Sequence, residues 1–132
     1  MIDPTKAHVL TPTKDANEPY PIAAEWRPVF QAIVRAFVEG DYALSRGLPN
    51  VRLRSDRTAE LIRDQVADYG ETLVELPENT WRTSEALWMG DFWEIFVDLW
   101  TAGEGPSDLV LKARVFETDG GYAFEVSLVY VP

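Results

Sequence analysis

Apolar residues recur along this chain at two different periods, and the change of period divides it. In EWRPVFQAIVRAFVEG, Trp26, Phe30, Ile33 and Phe37 fall at helical intervals, with Val29, Val34 and Val38 widening the stripe. Pro28 stands where a first turn tolerates it and Gly40 is a natural stop, which predicts a helix over 26–39. In DRTAELIRDQVADYG, Leu61, Ile62, Val66 and Tyr69 share one face. Ser55 or Asp56 is expected to cap this second helix and Gly70 to end it. From Glu71 onward the period is two. ETLVELP, SEALWM, FWEIFVDLWT, DLVLKARVFE and YAFEVSLVYV read as five strands, the last four parted by Gly90-Asp91, AGEGPS and Asp119-Gly120. Five prolines in the first 28 residues predict an extended arm over 1–24. Between the helices, DYALSRGLPNVRLR reads as a loop with a short extended piece at 51–54. The expected fold is α+β: two N-terminal helices packed on a five-stranded, mainly antiparallel meander, with a Pro-rich arm before a single domain at 25–132.

The turns set a register. A two-residue turn at Asp119-Gly120 pairs Val115 with Phe124, Ala113 with Val126, Leu111 with Leu128 and Leu109 with Tyr130. It also sets Arg114 against Glu125, a favourable pair that a turn at Gly120-Gly121 would lose. Gly90-Asp91 pairs Trp88 with Trp93, Ala86 with Ile95 and Ser84 with Val97. Aligning the apolar faces then sets Leu99 against Leu109 and Glu94 against Arg114, since a slip of one residue would invert a strand. Ile95, Val97 and Leu99 are thus expected to face the helices. Phe92, Glu94, Phe96, Asp98 and Trp100 share the opposite side with Trp81, Glu85, Leu87, Met89, Lys112 and Phe116. A face mixing aromatics, Met and paired charges has the composition of an interface centre.

Charge sharpens this picture. The chain carries −10 overall, but residues 1–63 hold nine Lys/Arg against eight Asp/Glu, and residues 64–132 hold three against fourteen. An acidic second half disfavours nucleic acid or an anionic membrane as partner and favours a basic protein. No apolar run reaches the roughly 18 residues of a membrane span, and the opening MIDPTKAHVL lacks a signal-peptide profile, so a cytoplasmic protein is expected.

Candidate chemistry is sparse. Without cysteine there is no thiol or thiolate site, and the only histidine, His8, lies in the arm. Asp98, Glu104 and Asp108 are three oxygen donors that the register brings towards one end of the sheet, a candidate cation site whose spacing matches no EF-hand loop. Asp108 is expected to bond loop amides after Gly-Pro. Glu94 and Glu125 flank Arg114, and a guanidinium between two carboxylates suits a structural ladder better than an acid/base pair. GEGPS lacks the lysine and the following helix of a phosphate loop. Arg52, Arg54 and Arg57, with Arg46 and Arg63 nearby, form the one basic cluster, expected to pair with acidic sheet residues. No catalytic residue and no cofactor is expected.

The runs W-R-T-S-E-A-L-W, F-V-D-L-W-T, E-G-P-S-D-L-V-L and V-Y-V-P together resemble an uncharacterised family of small bacterial proteins over 26–132. That resemblance implies no catalytic residue. Size, acidity and α+β plan are also similar to those of immunity proteins that neutralise bacterial toxins. The functional expectation is a small acidic, non-enzymatic interaction domain that binds a basic protein. Trp81, Phe92, Phe96, Trp100 and Phe116 are the expected anchors, with Glu94, Asp98 and Glu125 as charge partners. The alternatives are a small-ligand binder or enzyme with a pocket between helices and sheet, and a homodimer with no other role.

Overall fold

A computed structural model describes residues 11–132; His8 and the opening of the arm lie outside them. The first helix, α1, runs Arg27–Val38 behind a 3-10 turn at Ala24–Trp26. Phe30, Ile33, Val34 and Phe37 form its buried stripe, and Pro28 occupies the first turn, where its missing N–H leaves no bond unmade. It closes with Gly40 N–H to Phe37 O (2.9 Å) and Asp41 N–H to Ala36 O (2.8 Å). This pair of bonds needs a left-handed residue between helix and loop, and Gly40 has φ 85°.

The second helix, α2, runs Thr58–Tyr69 and buries Thr58, Ile62 and Val66. Its start corrects the sequence expectation. Arg57, not Ser55 or Asp56, holds the cap position and makes no side-chain cap bond. Ser55 instead opens a turn: its carbonyl takes the Thr58 N–H (3.2 Å), its hydroxyl takes the Arg57 N–H (3.3 Å), and its own N–H reaches the Thr58 hydroxyl (3.0 Å). Gly70, in the left-handed region, ends the helix as expected.

Six strands follow one another as β1 (Val51–Leu53), β2 (Leu73–Val74), β3 (Glu85–Trp88), β4 (Trp93–Thr101), β5 (Gly105–Thr118) and β6 (Gly121–Tyr130). They form one mixed, strongly curled half-barrel sheet of order β1-β6-β5-β4-β2, with β3 also on β4. The expected five-stranded meander is therefore corrected in two ways. The extended piece near 51–54 is a sixth strand, parallel to β6. In addition, β2 and β3 share one edge of β4: β3 pairs along Trp93–Phe96, and β2 pairs at Trp100 and Thr101. Between those stretches Asp98 has no strand partner on that edge. Its carbonyl accepts from the Thr80 hydroxyl, and its N–H donates to the Ser84 hydroxyl (3.0 Å), which itself donates to Thr80 O (2.8 Å). Both side chains come from the 3-10 turn Glu78–Arg82 and the residues after it.

The expected register holds through the middle of the sheet. Trp88 pairs with Trp93, Ala86 with Ile95, Glu94 with Arg114, Val115 with Phe124, and Arg114 with Glu125. Ser84 does not pair with Val97, because β3 begins at Glu85. Beyond Ala113 the register shifts: Leu111 meets Val129 and Val110 meets Tyr130, not the expected Leu128 for Leu111 or Leu109 for Tyr130, because one extra residue of β6 is accommodated around Ser127. Ile95, Val97 and Leu99 are fully buried in the core with Leu111, Ala113 and Val115, under α1 and α2. Trp26 packs edge-on to Trp93 (5.0 Å) and Tyr122 (5.3 Å).

The described part of the arm is tied to the margin of this core. Tyr20 and Ala86 exchange both backbone bonds at 2.8 Å, Trp93 Nε1 donates to Thr13 O (3.0 Å), and Lys14 pairs with Glu117 (2.7 Å) above the Trp88 ring. The Tyr20 hydroxyl donates to Asp15 (2.7 Å), and that bond, with burial, pushes its pKa up to about 12.

Candidate functional site

The alternation that sends Ile95, Val97 and Leu99 into the core turns Glu94, Phe96, Asp98 and Trp100 the other way. The helices pack on the first face. On the second face the 3-10 turn Glu78–Arg82 borders Asp98 and Trp100 through Asn79 and Arg82. Strand register sorts that second face into rows. One row crosses five strands as Leu87, Glu94, Arg114, Glu125 and Arg52. The next runs Glu85, Phe96, Lys112, Leu128, and a third Asp98, Val110, Tyr130. Phe92, Phe96, Trp100 and Phe116 are all half-buried there, neither sealed nor freely solvated.

Glu94 is the ionic centre of this face. Its carboxylate meets Lys112 Nζ at 3.0 Å and Arg114 Nε at 3.4 Å. The Arg114 guanidinium lies over the Phe92 ring (4.6 Å), Phe92 packs on Phe116 (5.4 Å), and Arg52 lies over Phe116 (5.3 Å) while binding Glu125 (3.0 Å). Cations and rings thus alternate across the sheet, each guanidinium serving one carboxylate and one aromatic face. The two signs differ in accessibility. Side-chain exposure is 9% for Glu94 and 13% for Glu125, against 31%, 28% and 59% for Lys112, Arg114 and Arg52. The carboxylates lie beneath and the cations form the outer surface.

The structure gathers seven of the eight residues singled out from the sequence, namely Phe92, Glu94, Phe96, Asp98, Trp100, Phe116 and Glu125. Trp81 is the exception. It belongs to the 3-10 turn Glu78–Arg82, and its ring is buried in the core beneath the Arg27 guanidinium (5.5 Å). A strand-like alternation counted back from Glu85 does not apply to a turn with three residues per repeat.

Asp98, Glu104 and Asp108 do not converge, and among the described residues no group of three His, Asp or Glu is placed to hold a metal ion. Glu104 accepts from the Tyr69 hydroxyl (3.1 Å) and the Thr101 hydroxyl (3.2 Å), which fixes the β4–β5 turn on α2. Ser107 makes the backbone contacts expected of Asp108: its hydroxyl donates to Leu99 O (2.7 Å) and accepts from Leu109 N–H (3.1 Å). Asp98 instead borders an open groove of about 490 Å³ with Asn79, Arg82, Thr83, Trp100, Pro106 and Ser107. Of the basic cluster, Arg52 joins the second face as expected, while Arg46 binds Glu39 and Arg63 binds Asp64. Sequence reasoning missed Leu128 and Tyr130 on this face, because the shift near Ser127 changes which β6 residues meet β5.

A second groove, about 330 Å³, does lie between helix and sheet. Pro28, Val29, Ala32, Leu48, Pro49, Asn50, Val51 and Phe124 line it. Asn50 brings its only polar side chain, too little to converge on a reacting group.

A family model described as Domain of unknown function (DUF7668) matches residues 34–132, which takes in all six strands and leaves out the arm. No curated protein and no solved structure matches the chain.

Proposed function

The chain belongs to the DUF7668 family, and from that premise we propose a non-enzymatic interaction domain that docks a protein on the second face of its sheet, in the manner of an immunity protein. One observation carries this reading. Four half-buried aromatic side chains stand on the sheet face opposite the one that buries α1 and α2, and two of them, Phe92 and Phe116, lie under the guanidinium groups of Arg114 and Arg52. Preset aromatic rings give contact area at small entropic cost on binding. The family match covers that face in full, which agrees with a role seated in the sheet. An apolar groove with one amide gives less support to the ligand or enzyme reading.

A basic partner fits the molecule better at its ends than at the centre of the face. Glu94 and Glu125 are already paired within the chain, so rim acids would supply the attraction. Asp91 and Asp119 stand at one end of the sheet, and Glu104 and Asp108 at the other. A net −10 speeds encounter with a cationic protein, and the aromatics hold it.

The test is affinity capture from the native cell with the parent chain and with Phe96→Ala. Expected is one basic protein in stoichiometric amount with the parent, its yield falling at least about tenfold with Phe96→Ala, a typical loss for an interface anchor. A folded Phe96→Ala chain that captures the same protein equally well would overturn the reading.

A further inference from the structure

We propose that the second face also closes on a second copy of this chain, about a two-fold axis that runs parallel to the strands between β5 and β6. The inference rests on reading that face as the interaction surface, and it adds an occupant and a register.

The row Glu94, Arg114, Glu125, Arg52 crosses β4, β5, β6 and β1 with signs −, +, −, +. An even row of alternating signs reverses its sign when read backwards. A two-fold axis in the interface plane, along the strands, reads it backwards. Arg114 then faces Glu125 of the second copy, Glu125 faces its Arg114, and the outer Glu94 and Arg52 face each other in the same way. Each charge of the row then faces one of opposite sign, while Lys112 faces Leu128 of the second copy. Since Glu94 and Glu125 are already paired within their own chain, the row fixes the register more than it adds attraction.

Size follows the same rule. The axis sets Phe116 over Ala123 of the second copy and Val110 over its Tyr130, because these residues are register partners on β5 and β6. Each large side chain meets a smaller one, which lets two side-chain layers interlock. A sheet that curls meets its copy best beside the axis, so β5 and β6 carry most of the contact. A footprint of a few strands, each about 4.8 Å wide, falls short of the roughly 800 Å² per partner of a standard interface. The dimer is therefore weak, and its population depends on concentration.

Net charge supplies a signature. Two chains at −10 repel at long range. Salt screens that repulsion more than it screens short contacts within the interface. Self-association thus strengthens from about 0.02 M to about 0.3 M salt, where the Debye length falls well below a protein's width. Binding of a basic partner weakens over the same range.

Sedimentation velocity on the parent and two variants decides the matter. In Arg114→Glu the row reads −, −, −, +, and in Glu125→Arg it reads −, +, +, +. Either variant alone sets like charges together at the two central positions and should associate at least about tenfold more weakly than the parent. An equimolar mixture sets opposite charges together at all four positions and should restore a dimer of one chain of each kind. A mixture no tighter than the separate variants would overturn the register. If either variant proves unfolded by circular dichroism, the parent still gives the salt series, and Phe116→Asp should abolish association. A parent that stays monomeric at all salt concentrations overturns self-association. If Phe96→Ala still prevents capture of a basic protein in that case, the docking reading stands alone. A restored mixed dimer together with undiminished capture by Phe96→Ala would leave self-association standing and remove the docking reading.

Discussion

Asp98 illustrates what single residues contribute where strand pairing lapses. Its N–H and C=O face an edge of β4 that neither β2 nor β3 reaches, and buried main-chain groups left without partners are costly. Thr80 and Ser84, both buried, supply the missing donor and acceptor from their hydroxyls. Thr80→Val and Ser84→Ala keep the volume nearly constant and remove those bonds, the second also the bond from the Ser84 hydroxyl to Thr80 O. Each should lower unfolding free energy by about 1–3 kcal/mol, the usual penalty for an orphaned buried group. The double variant should depart from additivity, because both act on one residue. Urea midpoints at unchanged slope are the measurement, and a loss within error of zero for both would refute this role. Little of this was legible in the sequence. WRTSEALW shows alternation only from Ser84 onward, and nothing in it says that Thr80 would stand beside Asp98. Glu94 beside Arg114 was legible, because a short turn and a period of two leave few registers that keep Ile95 and Val97 inside.

Local signals predict elements well when their partners are near in sequence. The α1 end is such a case. Gly40 has φ 85°, and a Cβ built there would meet nothing within 4 Å. The demand is therefore purely on the backbone, without steric conflict from neighbours. Gly40→Ala should destabilise the domain by about 1 kcal/mol, the left-handed penalty for a residue with a Cβ, and Gly40→Asn by less. Thermal midpoints would show this ranking, and an Ala variant as stable as the parent would contradict it. The same signals fail for β1. Val51–Leu53 pairs in parallel with Phe124, Glu125 and Val126, about seventy residues away, and no turn links the two. A parallel strand of three residues leaves no hairpin signature, so VRLR reads only as an extended piece. The extra β6 residue near Ser127 was hidden for a related reason. SLVYV keeps its apolar character on either side of the shift, so pattern alone cannot place it.

On the scale of the whole molecule, the charge asymmetry of the chain is partly answered from within. Lys14–Glu117, Arg35–Glu75 and Arg52–Glu125 each join a cation of the first half to an acid of the second. The balance of nine against eight in residues 1–63 and three against fourteen in 64–132 is thus drawn together by the fold, with the −10 excess left over. Salt acts on both quantities in opposite directions. It weakens the pairs, but those with Lys14 and Arg35 are at least half exposed on both sides, and such pairs contribute about 0–1 kcal/mol each. It also relieves repulsion among the unpaired acids. That repulsion is summed over many charges at separations near or beyond the roughly 10 Å Debye length of 0.1 M salt, the range that screening removes first. Relief should win. The thermal midpoint of the monomer at low protein concentration should rise by a few degrees between about 0.02 M and about 0.5 M sodium chloride, since about 1 kcal/mol moves the midpoint of a domain this size by roughly 4 °C. A midpoint that falls with salt would mean that the three pairs between halves outweigh the excess, and the acidic surface would then be better described as the counterpart of the chain's own cations than as a field offered to a partner.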